Sequence, residues 1–207
     1  MTERRGARRK RETRDKLIQA ALRLMAQEGV EGVSISGITE AADVGFGTFY
    51  NHFESKEAIY QAVVDAVFED FAVWIDRLVA GAKDSAETIS IAVRHTLLRA
   101  EREPLWGQFL IREGLSLRSL EHGLGRSLFR DIQSGIQAKR FASADPFMSF
   151  LSVGGTILVS IAVTITGVND VQLSKEDLPT RSAAAVLRIL GIDPKEADAI
   201  ARHALPW

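Results

Sequence analysis

Ser34, Thr48, Tyr50, Asn51, His52 and Lys56 crowd hydroxyl, amide, imidazole and ammonium groups into one short stretch, with the bare backbone of Gly45 and Gly47 and the ring of Phe46 set among them. The grouping is not one that makes or breaks bonds. His52 has no carboxylate or second histidine at ligand spacing, so no metal is expected. The chain has no phosphate-binding glycine loop with its lysine, no nucleophile elbow and no two-histidine metal helix, and neither an enzymatic activity nor a cofactor is expected. It contains no cysteine, which removes disulfides, thiolate metal sites and cysteine nucleophiles. What these groups can do is bind. Hydroxyl, amide and ammonium groups suit phosphate oxygens and base edges, and the Thr48 methyl or the Phe46 ring suits a thymine methyl. Glycines at 45 and 47 let backbone N–H groups come close to a phosphate. The plainer reading of Tyr50-Asn51-His52-Phe53 is aromatic packing, and Phe49 and Phe53 are expected to be core anchors.

The elements that must position this stretch read as helices, as does the rest of the chain. Apolar residues recur at three- and four-residue spacing, and no segment sustains strand-like alternation. A first helix is expected over about 10–27, with Leu17, Ala20, Ala21, Leu24 and Met25 on one face and Gly29 as its left-handed stop. A short helix over about 34–42 and a turn at Asp43-Val44-Gly45 precede a second short helix through Phe46–Tyr50. A longer helix, capped by Ser55, is expected to run to about Ala80. Two short helices joined by a tight turn cannot bury both apolar faces alone. They must lean on the helices either side, leaving one helix protruding in the manner a major groove admits.

Charge is distributed unevenly. Over residues 1–16 the basic side chains Arg4, Arg5, Arg8, Arg9, Lys10, Arg11, Arg14 and Lys16 outweigh Glu3, Glu12 and Asp15, whereas the whole 207-residue chain is at −1. A basic arm over 1–10 on an otherwise acidic protein points to a polyanion, nucleic acid first, or to a solvated tail. This polar start has no apolar core and does not read as a secretory signal. With the missing cysteines, it fits a cytoplasmic location.

The second half carries its own start signals: Asp84 with Glu87, Pro104, Asp145-Pro146 and Asp193-Pro194. Residues 147–168 carry no charge and are long enough to span a bilayer. Their recurrent serines and threonines, the Gly154-Gly155 pair and the weakly basic flanks favour instead a soluble helix packed on both sides, and no membrane is expected. Trp74, Trp106, Phe109, Phe129 and Phe150 could line an apolar ligand pocket, with His95, Arg99 and Arg112 to orient its occupant; each would serve equally as core or surface.

The run Val44-Gly45-Phe46-Gly47-Thr48-Phe49-Tyr50-Asn51-His52-Phe53, followed by Lys56-Glu57 and preceded by Ala20-Ala21, Gly29 and Ile38, resembles the tetracycline-repressor (TetR) family of regulators. That family commonly has valine, serine, a variable residue, glycine, threonine, leucine, tyrosine, any residue, histidine and phenylalanine here. Gly45 replaces the serine, and Phe46 stands where lysine or arginine is frequent. The resemblance covers about the first third of the chain. It implies an all-α protein of about nine or ten helices, with a helix-turn-helix DNA-binding domain over 11–71 (motif about 34–53) and a larger ligand-binding and dimerisation domain over 72–207. It implies phosphate or base contacts from Ser34, Gly47, Thr48, Tyr50, His52 and Lys56. It further implies a homodimer on double-stranded operator DNA, paired through the helices near 145–167 and 180–190 and released by a small apolar or aromatic effector. A ligand-responsive activator, or a ligand-binding helical protein without DNA regulation, are the alternatives.

Overall fold

The computed structural model describes residues 5–82, 84–114, 123–166 and 177–207. Arg4 and the rest of the expected arm before it, together with the expected helix end at Gly167, lie outside the described residues. The chain forms two compact units, Met1–Val67 and Phe68–Trp207. Among the described residues every regular element is helical.

In the first unit, α1 (Arg5–Glu28) starts earlier than the sequence suggests, so Arg5 to Lys10 extend a helix instead of forming an arm. Straight-chain arginines are good helix formers, and the ion pair of Arg8 with Glu12 one turn on adds local support. Gly29 ends α1 with φ 83°, the left-handed stop the sequence implies. Next come α2 (Ile35–Ala41), α3 (Phe46–Tyr50) and α4 (Lys56–Val64). Ser34 caps α2 by accepting the Gly37 N–H at 3.0 Å, and Ser55 caps α4 by accepting that of Ala58 at 3.2 Å. Leu17, Ala21 and Met25 of α1 meet Ile38, Phe49, Ile59 and Val63 in a core closed to solvent. In the turn between α2 and α3 the left-handed position is Asp43, at φ 54°, and not Gly45, at φ −65°. Short polar side chains tolerate that conformation.

The long helix expected from Ser55 to Ala80 is interrupted. After α4 a π-helical turn, Asp65–Glu69, leads into α5 (Asp70–Val79). The two units divide inside this turn, about one helical turn before the 71/72 boundary implied by sequence.

The second unit is built around α6 (Ser85–Arg102), which α5, α7 (Pro104–Gly114), α8 (Gly123–Gln137), α9 (Pro146–Thr166), α10 (Leu178–Ile189) and α11 (Pro194–Ala201) all touch. The start signals work as read. Asp84, Asp145 and Asp193 each accept backbone N–H groups of the turn that follows, and prolines open α7, α9 and α11. Arg140 ties Asp84 (2.9 Å) to Glu196 (2.7 Å), clamping the starts of α6 and α11.

Helix α9 departs from expectation. Among the described residues it is the one helix long and apolar enough to cross a membrane. It is not packed on both sides by its own chain. Ser149, Phe150, Val153 and Ile161 are buried, whereas Phe147, Met148, Leu151 and Val159 lie open. Its hydroxyls are internally satisfied: Thr156, Thr164 and Thr166 donate to the carbonyls four residues back.

Candidate nucleic-acid interface and ligand cavity

The turn and α3 form an open surface in the first unit. Phe49 is fully buried and Phe53 nearly so, their rings 5.7 Å apart, and they hold α3 down as anchors. The other side of α3 is bare. Phe46 and Tyr50 are each more than half exposed (54% and 53%) and meet edge-to-face at 5.7 Å. Gly45 and Gly47 are exposed as well. A methyl group added at Gly47 would touch nothing within 4 Å, and one at Gly45 only the Thr48 hydroxyl at 3.7 Å. Neither glycine is demanded by backbone strain or by packing within the protomer. Thr48 is half-buried one turn from Gly45, and Asn51 caps the helix end in the open.

His52 and Lys56 are tied in more closely than the sequence suggests. The Lys56 ammonium donates to the Glu31 carbonyl at 3.2 Å, bracing the loop after α1. His52 is half-buried with no partner on its Nδ1. Burial first, then the charges of Lys10 and Arg14, hold its pKa below the ordinary 6.5, so the ring is largely neutral at neutral pH. Arg14 also lies over the Phe53 ring at 5.1 Å. Helix α1 thus brings Lys10 and Arg14, one turn apart, beside the end of α3. Both positions fall in the helix expected over about 10–27, but residue order alone does not show which side of that helix meets α3. Ser34 spends its oxygen on the α2 cap, leaving its hydroxyl proton free to donate.

The second unit holds an apolar cavity of about 100 Å³ between α5, α6, α7, α8 and α9. Phe150, Leu110, Leu128 and Ile157 supply much of its wall, and Gly154 leaves room by lacking a side chain, whereas Gly114 is packed against Leu158. Three polar side chains reach it: Thr96, Ser127 and Asp131. The Thr96 hydroxyl donates to the Ala92 carbonyl at 2.7 Å, so its lone pairs remain to accept. Asp131 takes the Arg130 Nε–H at 2.9 Å, and Arg130 also reaches Asp76 at 2.9 Å. Burial pushes the Asp131 carboxyl up from its usual range, against the pull of Arg130.

The eight residues singled out for a ligand do not share one site. Phe150 lines the cavity, and Phe129 meets its ring edge-on at 5.9 Å from behind. Trp106 and Phe109 are core: Phe109 packs on Phe68 at 6.1 Å, and Trp106 lies under the Arg99 guanidinium at 4.7 Å. Arg112 is exposed on α7. Trp74, His95 and Arg99 line a separate, open cleft. Thr96, Ser127 and Asp131 had no sequence signal that set them apart, and the Gly154-Gly155 pair stands out in the sequence only as a feature of its helix.

A short helix pair joined by a left-handed turn and braced by flanking helices, on a chain that also carries a larger all-helical unit, defines a two-domain helix-turn-helix protein. The model for bacterial regulatory proteins of the tetR family matches residues 17–63, and that for the tetracyclin repressor-like C-terminal domain matches 84–203. This chain belongs to the TetR family. The structure of RolR in complex with resorcinol superposes over 97% of this chain and 98% of that one, at 33% identity and a TM-score of 0.70. Among curated relatives, the HTH-type transcriptional regulator TcmR of Streptomyces glaucescens is 35% identical over 97 residues, 47% of this chain and 42% of that protein. The HTH-type transcriptional repressor DhaR of Mycobacterium sp. (strain GP1) is 32% identical over 95 residues, 46% of each. The chain thus matches less than half the length of each of these two curated relatives.

Proposed function

We propose that this protein is a homodimeric, sequence-specific DNA-binding repressor of the cytoplasm, and that a single-ring aromatic molecule carrying hydroxyl groups lowers its affinity for its operator. The observation that carries the DNA role is the open face of α3. Two aromatic rings, Phe46 and Tyr50, stand exposed, and Phe46 is flanked by glycines that nothing in the chain requires. In a major groove the glycines admit a phosphate close to the backbone, Thr48 and Asn51 face polar base edges, and Phe46 replaces a cationic contact with an apolar one. Lys10 and Arg14 supply the charge that Phe46 does not.

The dimer is favoured by α9. Its uncovered residues Phe147, Met148, Leu151 and Val159, with Ile189 of α10, form an apolar face that a second copy would bury. Gly155 lies among them, one turn from Leu151 and one turn from Val159, and permits close helix approach. Two copies would present two reading helices to half-sites about 34 Å apart, or a little more.

The effector class follows from the cavity. A dry hydrophobic cavity of about 150 Å³ accepts a benzene ring, and the cavity here, about 100 Å³, is of the same order. Asp131 and Thr96 offer acceptors for ring hydroxyls. The similarity to RolR, solved with resorcinol, supports the same ligand chemistry. Release follows from linkage: a ligand that prefers the state with lower DNA affinity shifts the population toward it. The test is selection of bound duplexes from a randomised library, then gel shifts with and without resorcinol. A two-fold symmetric consensus, released by resorcinol, is expected. Failure to enrich any sequence removes the DNA reading, and an enriched consensus that resorcinol leaves bound removes the effector reading.

A further inference from the structure

A second concavity in the same unit, about 370 Å³, opens between α5, α6 and the last residues of the chain, away from the apolar cavity. Its walls include Trp74, His95, Arg99, Arg102, Glu103 and Trp207. We propose that it is a separate binding site for an aromatic carboxylate, with the ring laid against Trp74 and Trp207 and the carboxylate on Arg99. The inference goes beyond the regulator reading and stands without it.

The aromatic surfaces are built for a planar guest. Trp74 stacks one face on Phe71 at 5.4 Å and 23°, and remains 39% exposed. Trp207 is 77% exposed, yet it is held in place. The His95 Nε2–H donates to the Pro206 carbonyl at 3.0 Å, Arg94 donates to the His203 carbonyl at 2.6 Å, and Arg102 lies over the Trp207 ring at 5.3 Å. His95 stands between the two indoles, edge-on at 5.0 Å from Trp74 and 5.4 Å from Trp207, within the range of aromatic contact. An indole touched by His95 and Arg102, on a tail tied down at His203 and Pro206 and left open to water, is a docking surface with much of its ordering already done.

The polar end selects an anion. Arg99 is flattened over the rings of Phe71 (4.8 Å) and Trp106 (4.7 Å), which fixes its plane. Its Nε–H is buried and has no acceptor, so the protein leaves the guanidinium only partly satisfied, and the side chain as a whole remains 27% exposed. The one acidic side chain lining the cleft, Glu103, is exposed and reaches only an Arg99 terminal nitrogen at 3.4 Å. His95 is held neutral by burial, so the excess positive charge rests on Arg99 and Arg102. A planar guanidinium with a free N–H takes a carboxylate through paired hydrogen bonds.

Calorimetric titration of the full chain with 1-naphthoate, using the uncharged 1-naphthamide as its counterpart, tests this. Naphthoate should bind once per chain and at least tenfold tighter than the amide. Trp207→Ala, which removes an exposed ring, and Arg99→Lys, which keeps charge and stem but loses the fork, should each weaken it tenfold or more. Gly154→Leu, in the other cavity, should leave it unchanged. No binding at millimolar naphthoate, equal binding of the amide, undiminished binding by Trp207→Ala, or loss on Gly154→Leu would each overturn the proposal.

Discussion

Gly154→Leu asks the most direct question of the proposed effector cavity. Gly154 lies on the inward face of α9, one turn from both Phe150 and Leu158, which line the same space. A methyl group built there meets no atom within 4 Å, so a side chain can enter without strain. Replacing glycine inside a helix gains about 0.5–1 kcal/mol, and burying a leucine side chain gains about 1.5–3 kcal/mol. With some of this lost to imperfect fit, the variant should be about 1–3 kcal/mol more stable. In a chain of this size each kcal/mol raises Tm by about 2–4 °C. The same side chain occupies the space of the ring. Denying an aromatic ring its burial forfeits about 1.5–3 kcal/mol of binding, or about ten- to a hundredfold in Kd. Thermal melts and calorimetry with resorcinol read both quantities, and Gly154→Ala, which gains the helix propensity while filling little of the cavity, is the control. A Gly154→Leu protein that melts higher and still binds resorcinol with parental affinity would refute the assignment of the cavity.

Three further outcomes are expected. Tyr50→Ala removes an exposed ring and should leave Tm within a degree or two while weakening operator binding at least tenfold in gel shifts; a parental gel shift counts against α3 as the reading surface. Val159→Glu puts a charge on the open face of α9, and sedimentation should show a monomer where the parent is a dimer; a dimer that persists moves the interface elsewhere. His52 and His95 both have pKa values lowered by burial first, so the folded chain binds protons less readily than the unfolded one. Stability is then full above about pH 6.5 and falls as the pH drops through that value. His95→Gln should flatten the decline in Tm on acidification, and an unchanged slope would show that His95 does not contribute.

How much of this could be read in the sequence depends on the range of the interactions. Capping is local: Ser34, Ser55, Asp84, Asp145 and Asp193 each act within one turn, so helix starts were legible from residue order. The reading helix was legible for the same reason, with Phe49 and Phe53 inward and Phe46 and Tyr50 outward as their spacing requires. The cavity was not. Large aromatics suggest pockets, but Trp106 and Phe109 fill space, and a void forms where small residues such as Ala92 and Gly154 line helices distant in sequence. The cleft at Trp74 was equally hidden, because one of its walls is a tail returning from more than a hundred residues away. The π turn at Asp65–Glu69 has no compositional mark that separates it from the helices on either side.

Both tyrosines, Tyr50 and Tyr60, lie in the first unit, and all three tryptophans, Trp74, Trp106 and Trp207, lie in the second. The molecule is therefore colour-coded by nature. Indole emission reports on the larger unit alone, phenol absorbance on the smaller, and one sample can show whether the two melt together or apart. With no native thiol to compete, a single introduced cysteine would carry a label to any chosen position.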